Sequence, residues 1–249
     1  MTRDEQPILY AMLDSFLDSG TISEVMEFVK GGKEATVFRC RAGGDPSRDK
    51  FYAAKVYRPR KYRRFRNDAP YQNGRVILSA RARRAVAKRT SFGQEVHQGL
   101  WVAAEYETQR MLFAAGCDVP RPVACNGDVI LMEWIGDADG PAPQLKDVKL
   151  QPPHEPRALL DRLLRNVELL LAHNRIHGDL SPFNVLYWNR RVTLIDFPQS
   201  VDPRMNGESY MLLYRDVENV CRYFAKYGVE ANANRIAGRL WERFVRGEL

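Results

Sequence analysis

The spacing of apolar residues in the first part of the chain predicts a helix followed by strands. Apolar side chains recur at helical intervals over residues 6–18, and Gly20 is typical of a helix end. Residues 23–29 fit either a second short helix or a strand. Residues 35–40 and 51–57 are rich in β-forming residues, and the turn-like sequence between them indicates a hairpin.

One further helix and two further strands are predicted before the pattern changes. Residues 100–115 have a helical period that ends at Gly116. Residues 119–124 and 128–135 are predicted strands, and Asn126-Gly127 between them is a strong hairpin signal.

Beyond residue 136 the chain is first proline-rich and then mainly helical. Five prolines between residues 137 and 156 indicate a linker or an irregular connection. The apolar pattern after it predicts helices at 157–174, 210–226 and 232–246, and strands at 185–188 and 192–195.

This order of elements predicts an α+β fold with two lobes and a cleft between them. We expect residues 1–136 to form a mainly β N-terminal lobe with an N-terminal helix and a basic insertion at about 58–98. We expect residues 137–249 to form the linker and a mainly α C-terminal lobe.

Composition narrows the class of protein without indicating a reaction. Of the 249 residues, 45% are hydrophobic and 28% are charged, which is ordinary for a globular protein. No apolar run approaches the roughly 20 residues that span a bilayer, and acids interrupt the first apolar stretch, which argues against a signal peptide. The four cysteines are scattered, which favours free thiols in a reducing compartment. We therefore expect a cytoplasmic protein.

The net charge of +7 is concentrated in one segment. Residues 58–89 contain twelve Lys/Arg and one acid, Asp68, so this segment carries +11 and the remainder carries −4. Such a block favours a polyanionic partner such as RNA, because basic side chains neutralise phosphates and release counterions. A solvated loop without a partner explains the charge equally well.

The sequence of residues 177–184 suggests phosphoryl-transfer chemistry. Asp179 is followed five positions later by Asn184, and Asp196 ends the second of two short predicted strands. Phosphoryl transfer needs a carboxylate that accepts the proton of the attacking hydroxyl, and oxygen ligands that hold Mg²⁺ on the phosphates. Asp179 is the candidate base, and Asn184 and Asp196 are the candidate metal ligands. His177 is expected to form structural hydrogen bonds rather than to transfer protons.

A phosphotransferase of this kind also needs a lysine on a strand of the first lobe. Lys55 lies among small and apolar residues, where an unpaired charge would be costly. Its partner should be an acid on the following helix, and Glu105 and Glu107 both qualify. These two acids face different ways on a helix, and the surrounding apolar residues favour Glu105 narrowly.

Two further segments are candidates for nucleotide contacts. Gly32 and Lys33 precede a predicted strand, where glycine permits close backbone approach and lysine can neutralise phosphate. A plain turn explains these two residues equally well. The main chain of residues 131–136, including Glu133 and Ile135, can pair with an adenine edge, although an ordinary buried strand would look the same.

Taken together, these motifs resemble the RIO-type atypical serine/threonine protein kinase family, and most closely its type-one subgroup. The stretches that carry the resemblance are Gly20, Ile22 and Val25, then GKEATVF (32–38), AAKVYR (53–58), VPRP (119–122), LMEWIG (131–136), PAPQL (141–145), HGDLSPFNVL (177–186), LIDFPQSV (194–201) and RDVENV (215–220). They follow the family order over nearly the whole chain. Two departures are Pro198 in place of the glycine of Asp-Phe-Gly, and the start of the helix after Trp101, where Ala103 and Glu105 keep only the second acid of the family's Trp-x-Glu-x-Glu.

The resemblance implies a protein-kinase-like fold with a shortened helical C-terminal lobe, using ATP and Mg²⁺. It implies phosphorylation of serine in other proteins or in the chain itself. In several similar proteins ATP is hydrolysed through a phosphorylated aspartate, which corresponds to Asp196 here, and relatives act in maturation of the small ribosomal subunit.

Three functions therefore compete at the level of sequence. The first is a serine/threonine protein kinase or autokinase. The second is an RNA-binding ribosome-assembly factor that uses ATP hydrolysis as a switch, with the basic segment at 58–89 as its contact. The third is a small-molecule kinase of the aminoglycoside or choline type, against which Ser181 argues because those enzymes usually carry histidine there.

Overall fold

The computed structural model describes residues 6–32, 34–44, 50–58, 91–151 and 154–249. The chain divides into two compact units, and the first consists of Met1–Glu107 and Arg121–Pro141. The second consists of Thr108–Pro120 and Ala142–Leu249. Lys33 and most of the predicted basic insertion lie outside the described residues. The division at residue 136 that the sequence suggests stays a prediction.

A five-stranded antiparallel sheet forms the frame of the first unit. The elements are α1 (Gln6–Ala11), α2 (Asp14–Asp18), β1 (Ile22–Gly31), β2 (Ala35–Ala42), β3 (Phe51–Tyr57), the start of α3 (Ser91–Ala114), β4 (Pro122–Cys125) and β5 (Val129–Glu133). The spatial order of the strands is β1-β2-β3-β5-β4. Strand β3 is therefore central, and pairing on both sides fixes the direction of its side chains.

The helix predicted over residues 6–18 is instead two short helices, α1 and α2. Leu13 lies at the junction, and its N–H bonds to the oxygen of Tyr10, three residues back, which tightens the turn. Leu9, Leu13 and Phe16 are all buried against the sheet, so the helical period survives the break and could not reveal it. Residues 23–29, which fitted either a helix or a strand, belong to β1 and pair with β2.

The second unit contains the end of α3, a short 3₁₀-helix (Leu145–Asp147), three complete α-helices and a hairpin among its described residues. Its elements are α4 (His154–Ala172), β6 (Val185–Trp188), β7 (Arg191–Leu194), α5 (Ser209–Ala225) and α6 (Ala233–Val245). The predicted apolar stripe of α4 is buried, through Leu159, Leu160, Leu163, Val167, Leu170 and Leu171. Strands β6 and β7 pair antiparallel and lie, along the chain, between residues 177–184 and Asp196.

Several predicted boundaries differ from the structure, and two of them lie at prolines. Helix α4 begins before residue 157 because Pro156 lies in its first turn, where a missing N–H costs no hydrogen bond. Strand β4 begins at Pro122 rather than at residue 119, and the first residue of a strand is a position that tolerates proline. Strand β5 ends at Glu133 rather than at residue 135.

Among the described residues, no helix combines the length and the apolar character that crossing a membrane requires.

Gly43 allows the end of β2 to approach the chain just before β1. Its N–H donates to the oxygen of Thr21 at 2.9 Å. A Cβ atom at position 43 would lie 1.7 Å from the backbone oxygen of Gly20, which cannot rotate away. The close approach therefore requires glycine.

We expect Gly43→Ala to lower the free energy of unfolding by about 1–3 kcal/mol, because the backbone must shift to admit the methyl group. Gly140→Ala is the matched control in the same unit, since a Cβ there meets no atom within 4 Å. Urea denaturation of both variants measures the difference. Equal midpoints for the two variants would contradict this account of Gly43.

Candidate active site

Lys55 and Glu105 form a buried ion pair in the first unit. Lys55 lies on the central strand β3 between the buried residues Ala54 and Val56, and Glu105 lies on α3. The Lys55 ammonium donates to Glu105 Oε1 at 2.7 Å, and the two side chains are only 13% and 3% exposed. Of the two acids that the sequence left open, Glu105 is thus in contact with Lys55.

Tyr57 is a third member of this cluster that sequence reasoning missed. Its hydroxyl donates to Glu105 Oε2. The Lys55 ammonium lies over the Tyr57 ring, 5.2 Å from its centroid. The only sequence signal was spacing, because residues two apart on a strand face the same side.

The predicted nucleotide contacts of the first unit fall at the ends of strands. Gly32 follows β1, and its N–H donates to the oxygen of Ala35 at 2.8 Å. Lys33 lies outside the described residues. Glu133 ends β5, and its N–H donates to the oxygen of Arg121 at 2.8 Å. Ile135 follows the end of that strand. The nucleotide contacts themselves stay a prediction.

Asp179, Asn184 and Asp196 come together within the second unit. The Asn184 amide donates to the Asp179 backbone oxygen at 2.8 Å and to its carboxylate at 3.1 Å. The Asn184 backbone oxygen accepts from the N–H of Ile195 at 3.0 Å, which brings Asp196 beside the same loop. Asp196 itself has φ of 74°, in the left-handed region that aspartate tolerates better than most residues.

The electrostatics of this group disfavour the ionised form of Asp179. Burial raises the pKa of Asp179 above its ordinary 3.8, and the negative charge of Asp196 raises it further. The hydrogen bond from Asn184 and the charge of Arg215 act in the opposite direction. The charge of Asp196 therefore adds to the effect of burial on Asp179.

His177 supports the segment that precedes Asp196. It is buried, with 2% exposure, and its Nε2 lies 3.2 Å from the oxygen of Ile195. Its ring also contacts the ring of Phe197, with 4.9 Å between centroids. Ile195 and Phe197 are the two neighbours of Asp196 in the sequence. Both contacts therefore agree with the structural role expected of His177.

Helix α5 holds the backbone of the loop at residues 178–180. The Asp216 carboxylate accepts the N–H groups of Gly178 at 2.8 Å and of Leu180 at 2.9 Å. Arg215 donates to the oxygen of Gly178, and Asn219 donates to that of Leu180 at 3.1 Å. The loop on either side of Asp179 is therefore held by side chains of one helix.

Gly178 is required in this loop for two independent reasons. Its φ is +81°, a conformation that residues with a Cβ rarely adopt. A Cβ there would also lie 2.6 Å from the backbone oxygen of Gln199.

The segment Pro143–Lys146 supports the other end of the loop, and sequence reasoning assigned it no role. Gln144 donates to the oxygen of Phe183, and the Lys146 N–H donates to the oxygen of Pro182 at 3.2 Å. The N–H of Tyr187 in turn bonds to the oxygen of Pro143 at 2.9 Å.

Asp216 was also missed, although a signal existed. It lies on the same helical stripe as Leu213, Val217 and Val220, all of which are buried. An acid on an apolar stripe must find hydrogen-bond donors when it is buried, but the sequence alone could not show that those donors belong to the Asp179 loop.

Comparison with known proteins shows the family. The sequence model of the RIO domain matches residues 36–236, which is most of the chain. The chain belongs to the RIO domain family. The prediction of a RIO-type family, with its resemblance to the type-one subgroup, is confirmed.

The relatives include RIO kinases of archaea and a fungus. The RIO-type serine/threonine-protein kinase Rio1 of Thermoplasma acidophilum is 33% identical over 137 residues, covering 55% of this chain and 70% of the relative. Rio1 of Haloferax volcanii is 27% identical over 228 residues, covering 91% and 72%. The serine/threonine-protein kinase rio1 of Schizosaccharomyces pombe is 30% identical over 217 residues, covering 86% of this chain but 41% of that protein.

A solved RIO structure has the same fold. The crystal structure of the Rio2 kinase-ADP/Mg²⁺-phosphoaspartate complex from Chaetomium thermophilum superposes with a TM-score of 0.65 at 20% identity. The match covers 96% of this chain and 73% of that one. The predicted α+β, protein-kinase-like fold is confirmed, and the predicted enzyme class, a serine/threonine protein kinase, agrees with the RIO relatives. The small-molecule kinase alternative finds no support.

Asp216 offers a test of how the RIO loop is held. In Asp216→Asn one acceptor oxygen becomes an NH₂ group that faces a backbone N–H donor. We expect a loss of about 1–3 kcal/mol in the free energy of unfolding near pH 4, because a buried hydrogen-bond donor loses its acceptor.

The loss should depend on pH. Burial raises the pKa of Asp216 from 3.8 to about 7. The hydrogen bonds from the N–H groups of Gly178 and Leu180 act in the opposite direction but are outweighed. A carboxyl whose pKa is raised by folding stabilises the protein fully below its unfolded pKa and loses that effect as the pH rises through the folded pKa. The difference in stability between wild type and Asp216→Asn should therefore shrink between about pH 4 and pH 7. Urea denaturation across this range measures it, and a difference that grows with pH would refute the assignment.

Proposed function

We propose that this chain transfers the γ-phosphoryl group of ATP, with Mg²⁺, to a serine or threonine hydroxyl of a protein or of itself. The observation that carries the proposal is the group formed by Asp179 and Asn184 on one supported loop and Asp196 on the segment beside it. The RIO relatives are serine/threonine protein kinases, which agrees with this chemistry.

Asp179 is the proton acceptor in this proposal. As the hydroxyl oxygen bonds to the γ-phosphorus, the bond from that phosphorus to the β-phosphate bridging oxygen breaks and ADP leaves. The hydroxyl proton passes to the Asp179 carboxylate. Its raised pKa suits this role, because a carboxylate with a higher pKa binds a proton more strongly.

The residues near Asp179 fit a magnesium ion. Mg²⁺ prefers hard oxygen ligands and is commonly held by one or two protein groups, with phosphates and waters completing the shell. The Asn184 amide oxygen and the Asp196 carboxylate are ligands of this kind. The charge of Asp196 raises the pKa of Asp179, so a cation here would relieve the repulsion between these two carboxylates. Bound there, the ion would neutralise charge on the transferring phosphoryl group.

The first unit supplies the phosphate-binding cation in this proposal. Lys55, held by Glu105, would bind the phosphates of ATP, because its ammonium is fixed in place by the buried carboxylate. Gly32 and Lys33 remain part of the proposal as phosphate contacts. The main chain of Glu133 and Ile135 remains part of it as an adenine contact.

A second candidate is an ATPase that passes through a phosphorylated Asp196. The Rio2 kinase of Chaetomium thermophilum has been crystallised with a phosphoaspartate, which favours this candidate by analogy. In such a reaction the Asp196 carboxylate would take the phosphoryl group from ATP, and water would then release phosphate. The +11 segment at 58–89 would bind RNA or a ribosomal precursor in the cytoplasm, a part of the candidate that rests on sequence alone.

Asp179→Asn tests the proton-accepting role. We expect the rate of phosphate transfer from labelled ATP to fall by roughly 10²–10⁴-fold while ATP affinity changes little, because the amide cannot accept the proton. Asp161→Asn is the control, since Asp161 is an exposed aspartate of α4 paired with Arg157. Transfer by Asp179→Asn within a few-fold of wild type would remove Asp179 from the mechanism.

The chemical stability of the labelled protein separates the two candidates. A kinase or autokinase should give an acid-stable phosphoserine or phosphothreonine, whereas the second candidate should give a hydroxylamine-labile acyl phosphate that Asp196→Asn abolishes. The Asp202→Asn variant is the control, since Asp202 lies six residues further along the chain and is paired with Arg204. Persistence of a hydroxylamine-labile label in Asp196→Asn would exclude Asp196 as the acceptor.

A further inference from the structure

Tyr57 contacts both members of the Lys55–Glu105 pair. Its hydroxyl donates to Glu105 Oε2, while Lys55 donates to Oε1 of the same carboxylate. The Lys55 ammonium also lies 5.2 Å from the centroid of the Tyr57 ring, within the range of a cation–π interaction. One side chain thus touches the cation through its ring and the anion through its hydroxyl.

Burial makes the hydroxyl important to the carboxylate. The Glu105 side chain is 3% exposed and Tyr57 is fully buried. A buried carboxylate is stable only when its oxygens are paired or hydrogen-bonded. Lys55 satisfies one Glu105 oxygen and Tyr57 the other, so removing the hydroxyl leaves an ionised group short of a donor in a site with little access for water.

The surroundings hold Tyr57 in this position. Tyr57 and Lys55 are two residues apart on the central strand, so they face the same side of the sheet. Trp101 packs edge-on against the Tyr57 ring with 5.3 Å between centroids. Trp101 and Glu105 are four residues apart on α3 and therefore lie on one face of that helix. Tyr57 is thus held in place by its own strand, β3, and by its contacts with α3.

We propose that Tyr57 is a positioning residue for the ATP-binding lysine. Its hydroxyl and ring hold the Glu105 carboxylate and the Lys55 ammonium in place before nucleotide binds. The ammonium is then already positioned to contact the phosphates of ATP. This inference rests on the proposed function, since it assigns Lys55 to the phosphates of ATP. Preorganised charges bind a ligand more tightly because less freedom is lost on binding.

Tyr57→Phe tests the hydroxyl separately from the ring. The variant keeps the aromatic contacts with Lys55 and Trp101 and removes one oxygen atom. We expect the dissociation constant for Mg·ATP, measured by calorimetry at 25 °C, and the KM for ATP to rise about tenfold, equivalent to about 1.4 kcal/mol. We expect kcat to change much less, because the lost interaction serves substrate and transition state alike.

Tyr227→Phe is the control. Tyr227 is a half-buried tyrosine whose hydroxyl also donates a hydrogen bond, at 3.2 Å, but its acceptor is the backbone oxygen of Val148. Its removal should lower the unfolding temperature without changing ATP affinity. If Tyr57→Phe likewise lowers only the unfolding temperature, the hydroxyl has a structural role alone and the proposal is wrong.

A double-mutant cycle shows whether Tyr57 acts through Glu105. In a Glu105→Gln background the carboxylate is gone, so adding Tyr57→Phe should change ATP affinity by less than about twofold. An equal tenfold loss in both backgrounds would overturn the proposal. If the wild-type protein neither binds Mg·ATP nor transfers phosphate, the proposed function itself is wrong. If the wild-type protein binds Mg·ATP and Tyr57→Phe binds it equally well, only the role of Tyr57 is wrong.

Discussion

The cost of burying a carboxylate governs one cluster in each of the two units. Glu105 and Asp216 are 4% and 1% exposed, and each has both oxygens in hydrogen bonds. An unsatisfied buried charge would cost several kcal/mol, so each carboxylate fixes the groups that donate to it. Glu105 fixes a lysine and a tyrosine side chain, and Asp216 fixes the backbone around Asp179. The positions of the chemical groups therefore follow from the need to satisfy two acids.

The loop that carries Asp179 also depends on unusual backbone conformations. Gly178 has φ of +81° and lies against the oxygen of Gln199, and Asp196 has φ of 74°. Left-handed conformations persist where the surrounding structure over-determines them. Here the α5 side chains hold one side of the loop, and the hydrogen bond from Ile195 to Asn184 joins it to the segment that contains Asp196. The hydrogen bonds that hold this loop and the segment beside it therefore also maintain the left-handed conformations of Gly178 and Asp196.

The sequence predicted those features whose signal is local. The apolar stripe of α4, the Asn126-Gly127 turn and the β6–β7 hairpin depend on periodicity or turn chemistry, and each is present. The break at Leu13 was missed because two short helices kept a single period. Tyr57 and Asp216 were missed for a different reason. Their roles depend on Glu105 and on the Gly178 backbone, 48 and 38 residues away in the chain, and no local pattern records such a pairing.

Asp179 differs from an acid such as Glu155 in how its surroundings treat its charge. The pKa of Glu155 is lowered, first by the hydroxyl of Tyr187 and then by the N–H of Gln151, so its environment favours the ionised form. The pKa of Asp179 is raised by burial and by Asp196. An acid that holds structure benefits from a stable charge, whereas an acid that accepts a proton benefits from the opposite. In the proposed reaction, a cation beside Asp196 or a proton on Asp179 would relieve the repulsion between these two carboxylates.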